Sequence, residues 1–161
     1  MDPRASWRGK PHDPDALRHS HDEARAKLDR AAKLGGPIAE ASSRVARMCL
    51  PHFEREEKCL LPVLAFLPDL TQGILRPEME DALPLIADFR ARHEALETQH
   101  QSIQASIEEL RQAALGENNA EFAEFAIHLK LHERIEDQLI YPTVLLIGNH
   151  LRAVAPGIWT R

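Results

Sequence analysis

The sequence predicts an all-α protein folded as an up-down-up-down four-helix bundle. Along four long segments the apolar residues recur at steps of three and four, the period of a helix with one buried face. Two of the three junctions between these segments are short and contain Gly or Asn, as connections between antiparallel helices often do. No stretch alternates apolar and polar residues as a half-buried strand would. The pattern therefore favours a bundle of sequential, neighbouring helices.

Length and composition are typical of one globular domain. The chain has 161 residues, of which 43% are hydrophobic and 28% charged. Its net charge of −5 and the lack of a basic block argue against a nucleic-acid partner. The first dozen residues lack the apolar run of a signal peptide, and no apolar run approaches the length of a membrane span. We expect a cytoplasmic protein that makes no membrane contact.

The two cysteines indicate the same compartment. Cys49 and Cys59 lie ten residues apart on one predicted helix, a separation of about 15 Å that no disulfide can bridge. We interpret both as small, largely buried thiols in a reducing environment.

The first predicted helix places a histidine on its apolar face. Residues 1–13 contain prolines and a glycine among polar residues and predict a flexible tail. Asp13 followed by proline indicates a helix start, and Gly35 indicates the end of that helix. His21 falls in the apolar stripe between these points.

The second predicted helix carries two polar residues in its stripe. It runs from about Pro37 to about Leu64, with Pro62 weakening its last turn. His52 and Glu56 occupy stripe positions that apolar residues would otherwise fill.

The third predicted helix has the clearest register. It starts near Pro84, ends at Gly116 and alternates steps of three and four throughout, with His93 and His100 both in register. The preceding residues, 66–77, show no period and are expected to cross one end of the bundle.

The fourth predicted helix covers about residues 120–146. Its face contains Phe125, His128, His132, Glu136, Leu139 and Thr143. The bundle domain then spans residues 14–147, and residues 148–161, with Pro and Gly near the end, predict an irregular C-terminal tail.

An extended motif, His-x-x-x-Glu followed by a second acidic residue and by a proline six residues after the glutamate, occurs twice, beginning as His52-x-x-x-Glu56 and His132-x-x-x-Glu136. Residues four apart lie one above the other on a helix, so each pair directs an imidazole and a carboxylate to the same side. In both copies an acidic residue follows the glutamate and a proline follows a few residues later. The repeat predicts two similar helical hairpins.

The inward-facing polar residues of the four helices together predict a metal centre inside the bundle. They are His21, His52, Glu56, His93, His132 and Glu136. One histidine on an apolar stripe is typical of a satisfied core residue, and one glutamate of a salt bridge at the bundle edge. Six in register on four helices favour metal, because unpaired buried polar groups each cost a few kcal/mol. Nitrogen and oxygen donors favour iron, manganese or zinc, and two carboxylates able to bridge suit a pair of ions.

The order His … His-x-x-x-Glu … His … His-x-x-x-Glu resembles the hemerythrin-like, or HHE cation-binding, domain family over about residues 14–147. The resemblance implies a four-helix bundle with a non-haem di-iron centre. Glu56 and Glu136 would bridge two iron ions, and the four histidines would be terminal ligands. Zinc and manganese are alternative occupants.

The sequence also differs from the oxygen-carrying hemerythrins. Those carry a second histidine four residues after the ligand of the third helix, where this chain has Glu97. They also use an aspartate at a longer spacing in the fourth helix, whereas Glu136 resembles the bacterial and ubiquitin-ligase-associated variants. These differences argue against simple reversible oxygen carriage.

Other polar residues have weaker assignments. Glu97 is either a seventh ligand or a solvated residue, and His128 is either an extra donor near the centre or packed beside Phe125. His100 lies about 10 Å along the axis from His93, which is too far to share its centre. Glu57 and Asp137 are candidate hydrogen-bond partners of ligand imidazoles, and the alternative is that they lie on a solvated face. Tyr141, the single tyrosine, is expected to be structural.

Two classes of function follow. The first is a binding protein whose di-iron centre binds or senses O2, NO or a related small oxidant, or iron itself. The second is a redox enzyme that consumes peroxide or NO, or a relative of the di-iron proteins that repair iron–sulfur clusters. Members of that repair group usually carry an additional N-terminal domain with cysteine; we do not expect such a domain here, which argues against that branch. A structural zinc site is a third reading. No particular protein partner is indicated.

Overall fold

A computed structural model describes residues 15–154, and every regular element within that range is helical. In chain order the elements are α1 (Asp15–Ala32), α2 (Gly36–Cys59), α3 (Leu61–Leu64), α4 (Leu67–Thr71), a 3-10 turn (Pro77–Asp81), α5 (Ala82–Gly116), α6 (Ala120–Ile135), a π-helical turn (Glu136–Ile140) and α7 (Tyr141–Val154). The last three elements follow without a break and form the fourth bundle helix. The predicted all-α four-helix bundle is confirmed.

The ends of the bundle differ in part from the prediction. α2 ends at Cys59, and Leu60 separates it from the single turn of α3, which contains Pro62. The crossing segment includes the short helix α4, and α7 continues to Val154. The prediction of an irregular chain from residue 148 is therefore wrong for residues 148–154. The predicted tail at 1–13 and the segment 155–161 lie outside the described residues.

The turn between α1 and α2 depends on two glycines. Gly35 and Gly36 adopt φ angles of 79° and 65°, in the left-handed region that other residues rarely enter. Gly36 is also the first residue of α2 and lies close to the Glu117 carboxylate at the α5–α6 turn. The two hairpin turns are therefore neighbours at one end of the bundle.

The apolar core is divided into two parts. The turn-side core lies next to the hairpin turns and includes Ala24, Leu28, Phe53, Ile103 and Leu129. The crossing-side core lies next to α3 and the crossing segment and includes Leu17, Leu60, Phe89, Tyr141 and Val144. Each bundle helix therefore passes from one core to the other. The buried titratable residues lie on the stretches of helix between them, in a polar layer.

No helix in the described range is both long enough and apolar enough to span a bilayer.

Gly148 allows α7 to approach α5 closely. A Cβ atom added to Gly148 would overlap the Ile86 side chain at Cγ2. Both residues are buried in the crossing-side part of the molecule, and Cγ2 of a β-branched residue cannot swing away. The close packing of these two helices therefore requires a residue without a side chain at position 148.

We expect Gly148→Ala to destabilise the protein by about 1 to 2 kcal/mol, because overpacking outweighs the gain in helix propensity. Gly116→Ala is the matched control, since no atom lies within 4 Å of the Cβ it would add. Thermal unfolding should give a lower Tm for Gly148→Ala and an unchanged or higher Tm for Gly116→Ala. Equal effects of the two substitutions would contradict the packing argument.

Candidate metal centre

The polar layer contains seven side chains that can donate to a metal, and we call them the candidate centre: His21, His52, Glu56, His100, His132, Glu133 and Glu136. Two subsets have donor atoms that all lie within 4.8 Å of one another. His21, His132 and Glu136 form the first group, and His52, His100, Glu133 and Glu136 form the second. Glu136 belongs to both groups, so the two lie side by side in the layer.

Glu136 and Glu56 each direct one carboxylate oxygen to each group. Glu136 Oε1 lies 3.3 Å from His21 Nε2 and 2.8 Å from His132 Nε2. Its Oε2 lies 3.6 Å from His100 Nε2 in the second group. Glu56 Oε2 lies 3.6 Å from His21 Nε2, and its Oε1 lies 3.4 Å from His52 Nε2. Both glutamates therefore stand between the groups, as bridging carboxylates would.

The outer nitrogen of each imidazole is held by a polar neighbour. His21 Nδ1–H donates to Glu57 Oε1 at 2.9 Å, and His100 Nδ1–H donates to Asp137 Oδ1 at 2.6 Å. His52 Nδ1–H donates to Gln99 Oε1 at 3.4 Å, and His132 Nδ1 lies 3.0 Å from Ser20 Oγ. An Nδ1–H donor leaves the lone pair on Nε2, and each Nε2 faces the interior. The predicted role of Glu57 and Asp137 is confirmed for these hydrogen bonds.

Several atoms of the centre are buried without a hydrogen bond. They are Glu56 Oε2, His132 Nε2, both oxygens of Glu133, and Glu136 Oε2. His132 Nε2 is only 2.8 Å from Glu136 Oε1, but the contact lacks hydrogen-bond geometry. His100 Nε2 and His52 Nε2 are 2.6 Å apart, and both carry lone pairs when Nδ1 is the protonated nitrogen. A cation between these atoms would remove the repulsion, so the donor set fits bound metal.

Burial and crowding of like groups displace the pKa values in the layer. Burial raises the pKa of Glu133 to about 9, with a further contribution from Glu56. Burial, and then the charge of Glu56, also raises the pKa of Glu136. For Glu56 burial acts in the same direction, but contacts with His52 and Tyr141 leave its pKa lowered. A cation bound between these carboxylates would offset both burial and their mutual repulsion.

Three imidazoles of the centre favour the neutral form that a metal requires. Burial lowers the pKa of His132 to about 4, and the proximity of His21 lowers it further. The pKa values of His21 and His100 are also lowered, in both cases chiefly by burial. Neutral imidazole is the species that binds metal, so these histidines need not lose a proton near neutral pH.

The π-helical turn brings Tyr141 to the centre. Its backbone N–H bonds to the carbonyl of Glu136, five residues earlier. In a regular α-helix these two residues would point about 140° apart, whereas a wider π turn places them on one face. The Tyr141 hydroxyl donates to Glu56 Oε1 at 2.6 Å, and its ring stacks on His100. The turn also shifts the stripe, so Leu139 is 61% exposed and its predicted inward position is wrong.

The structure does not bring His93 to the centre. Its side chain is 24% exposed and its Nε2 lies 3.4 Å from Glu97 Oε1. Its ring contacts Phe89 and Tyr141 on the crossing side of the layer. The expectation that His93 lies at the depth of the other candidate ligands is therefore wrong. His93 and His100 lie two turns apart on α5, and it is His100 that belongs to the centre.

His100 and Glu133 are the two residues of the centre that the helical pattern did not predict as ligands. The α5–α6 turn contains a signal for the first: His100 lies 18 residues before Asn118 and Glu136 lies 18 residues after it, so antiparallel helices place them at equal depth. His93 lies 25 residues before Asn118, about 10 Å further along the axis. Glu133 precedes Glu136 by three residues and therefore lies on the same helix face, so the sequence also contained a signal for this residue.

The remaining assignments are resolved in part. Glu97 faces His93 rather than the centre, with 46% of its side chain exposed. His128 is exposed and lies beside His132 at the rim of a surface cavity between α1 and α6. The two cysteines are free thiols, with Cys49 in the turn-side core and Cys59 half-buried next to the crossing-side core.

Comparison with protein families gives one match. The family described as "Hemerythrin HHE cation binding domain" matches residues 12–144, which include all seven residues of the candidate centre. Comparisons with curated proteins and with solved structures gave no significant match.

We expect His100→Ala to reduce the metal content of the purified protein strongly, because it removes a donor of the second group. His93→Ala is the matched control on the same helix and should leave the metal content unchanged. Metal analysis by mass spectrometry, with Tm measured in parallel, distinguishes the two. The placement of the centre would be refuted by loss of metal in His93→Ala together with full retention in His100→Ala.

Proposed function

Because the chain belongs to the hemerythrin HHE cation-binding family, we propose that it is a non-haem di-iron protein that binds or senses O2, NO or a related small oxidant, or iron itself. His21, His132, Glu56 and Glu136 would hold one ion. His52, His100, Glu133, Glu56 and Glu136 would hold the other. His93, the sixth residue of the sequence-based set, has no part in this assignment.

The observation that carries the proposal is the position of Glu56 and Glu136. Each carboxylate has one oxygen near the first group and the other near the second. A single ion would need one such group only. Two groups that share two carboxylates are the arrangement expected for a pair of ions.

The chemistry of the donors favours iron. The seven residues supply imidazole nitrogens and carboxylate oxygens, and no thiol is among the groups that could hold a metal in the described range. This set suits iron or manganese in a six-coordinate geometry, whereas structural zinc sites are tetrahedral and often contain thiolates. Zinc and manganese remain the alternative occupants that metal analysis would identify.

The number of donors leaves room for a small ligand. With four residues around the first position and five around the second, neither set reaches six. Bound iron would supply the change of oxidation state and the free coordination positions that small oxidants require. The protein would contribute neutral imidazoles held at Nδ1, two shared carboxylates, and a layer that excludes bulk water.

A redox enzyme is the second candidate, and one residue favours it. Tyr141 is the single tyrosine of the chain, is completely buried, and donates to Glu56 Oε1 at 2.6 Å. An oxidisable side chain this close to the centre suits an enzyme that consumes peroxide or NO, or a relative of the proteins that repair iron–sulfur clusters. The free thiols accord with the reducing cytoplasm that we propose as its location.

Metal analysis and an absorption spectrum of the iron-loaded protein test the proposal. We expect about two irons per chain, because two donor groups share the bridging glutamates, and near-ultraviolet charge-transfer bands in the oxidised form. Glu56→Ala should lower the iron content, and Glu94→Ala, which alters an exposed residue outside the centre, should not. One tightly bound zinc per chain with a featureless spectrum would refute the di-iron assignment. Turnover of peroxide or NO would then separate an enzyme from a sensor.

A further inference from the structure

Within residues 15–154, two surface cavities include a residue of the candidate centre in their lining. Five of its seven residues are completely buried, with exposed fractions of 0% for His21, His52, His100, Glu133 and Glu136. The other two are Glu56, at 2%, and His132, whose side chain is 13% exposed. Each of these two lines a cavity, one on either side of the bundle.

The first opening is a cavity between α2 and α5, which we call the apolar cavity. Its volume is about 40 Å³, and its inner part is lined by Cys59, Leu60, Phe89 and Leu96 together with Glu56. Glu56 is the one lining residue that belongs to the centre, and its Oε2 atom is buried without a hydrogen bond. The cavity therefore adjoins a residue whose carboxylate is shared by both donor groups.

Charged side chains surround the outer end of the apolar cavity. Arg92 pairs with Asp88 at 2.9 Å, and Arg55 donates to Gln99 Oε1 at 2.8 Å. Gln99 Oε1 is also the acceptor for His52 Nδ1–H. The two arginines at the outer end of the apolar cavity are therefore held by neighbouring residues. Behind them the cavity is lined by apolar side chains.

Size and polarity limit what the apolar cavity can admit. A volume of about 40 Å³ exceeds the ~10–15 Å³ that one water needs but is far below the ~300 Å³ of ordinary small-molecule sites. Leu60 and Phe89 are 0% and 2% exposed and offer no hydrogen bond to a hydrated ion. A neutral molecule of two heavy atoms meets both limits.

The second opening differs in chemistry. It is a cavity of about 70 Å³ between α1 and α6, the polar cavity, and it ends at His132. Ser20, Glu23, Lys27 and His128 are among its lining residues. These groups can replace the hydration of an ion or of water, so this side suits charged species rather than apolar gases.

We propose that O2 or NO reaches the centre through the apolar cavity, past Cys59, and not through the polar cavity at His132. This inference rests on the proposed di-iron function and adds the route by which a neutral diatomic ligand reaches the centre. The side chain of Cys59 sets the width of the passage through the apolar cavity and takes no part in binding the metal.

Stopped-flow binding of NO to the iron-loaded, reduced protein tests the route. Cys59→Leu fills the passage and should slow both association and dissociation at least tenfold, leaving Kd within about twofold, because a route changes both rates together. Cys59→Ser keeps the volume and should leave both rates near those of the wild type. His128→Trp obstructs the polar cavity and should also leave them unchanged. Iron content and the absorption spectrum are measured first for every variant.

This experiment distinguishes a failure of the di-iron function from a failure of the route through the apolar cavity. A wild-type protein that holds no iron refutes the di-iron function. Normal iron content and spectrum with unchanged rates in Cys59→Leu refute the route alone, as do slower rates in His128→Trp. A change of Kd without a matching change of both rates would show that Cys59 affects the site itself and would also overturn the route.

A second measurement requires neither iron nor a variant. Dissolved O2 is paramagnetic and enhances the relaxation of methyl groups that it approaches. In zinc-loaded wild-type protein, the methyl groups of Leu60 and Leu96 should relax at least twice as strongly under O2 as those of Leu28 and Leu110. Leu60 and Leu110 are both 0% exposed, so static exposure predicts no difference between them. Equal enhancement at all four residues would contradict the proposal.

Discussion

The structure depends on burying seven titratable side chains in one layer between two apolar cores. Each isolated group of this kind would cost several kcal/mol to bury, and three carboxylates at close range repel one another. Hydrogen bonds from outside the layer satisfy Nδ1 of the histidines, and Tyr141 satisfies one oxygen of Glu56. The inner atoms still lack partners. The proposed pair of cations would satisfy these remaining atoms and would explain why the helices place so much charge where a bundle normally places leucine.

The two hairpins repeat one design, with a difference that adds a donor to the second copy. His52, Glu56 and Glu57 recur 80 residues later as His132, Glu136 and Asp137, and each acid in the last position holds a histidine of the preceding helix. The position that Phe53 occupies in the first copy holds Glu133 in the second. Phe53 stacks on His21 with the ring centres 4.1 Å apart, whereas Glu133 Oε2 lies 3.2 Å from His100 Nε2. The second donor group therefore has one more carboxylate than the first.

Helical periodicity indicates which face of a helix is buried, and this was enough to predict the fold and five of the seven residues of the candidate centre. Periodicity does not state how far one helix slides along another, and His93 and His100 share a face at different depths. The 80-residue repeat contained the missing information about depth, because it aligns His21 with position 101. That position is next to His100 and eight residues beyond His93. Neither the periodicity nor the repeat could predict the inward position of Tyr141, because the π turn that rotates it inward breaks the helical period.

Anomalous diffraction at the iron absorption edge, from crystals of the iron-loaded protein, tests the central claim most directly. The account predicts two peaks in each chain, one next to His21 and His132 and the other next to His52, His100 and Glu133, with Glu56 and Glu136 adjoining both. A single peak, or a peak beside His93, would contradict it.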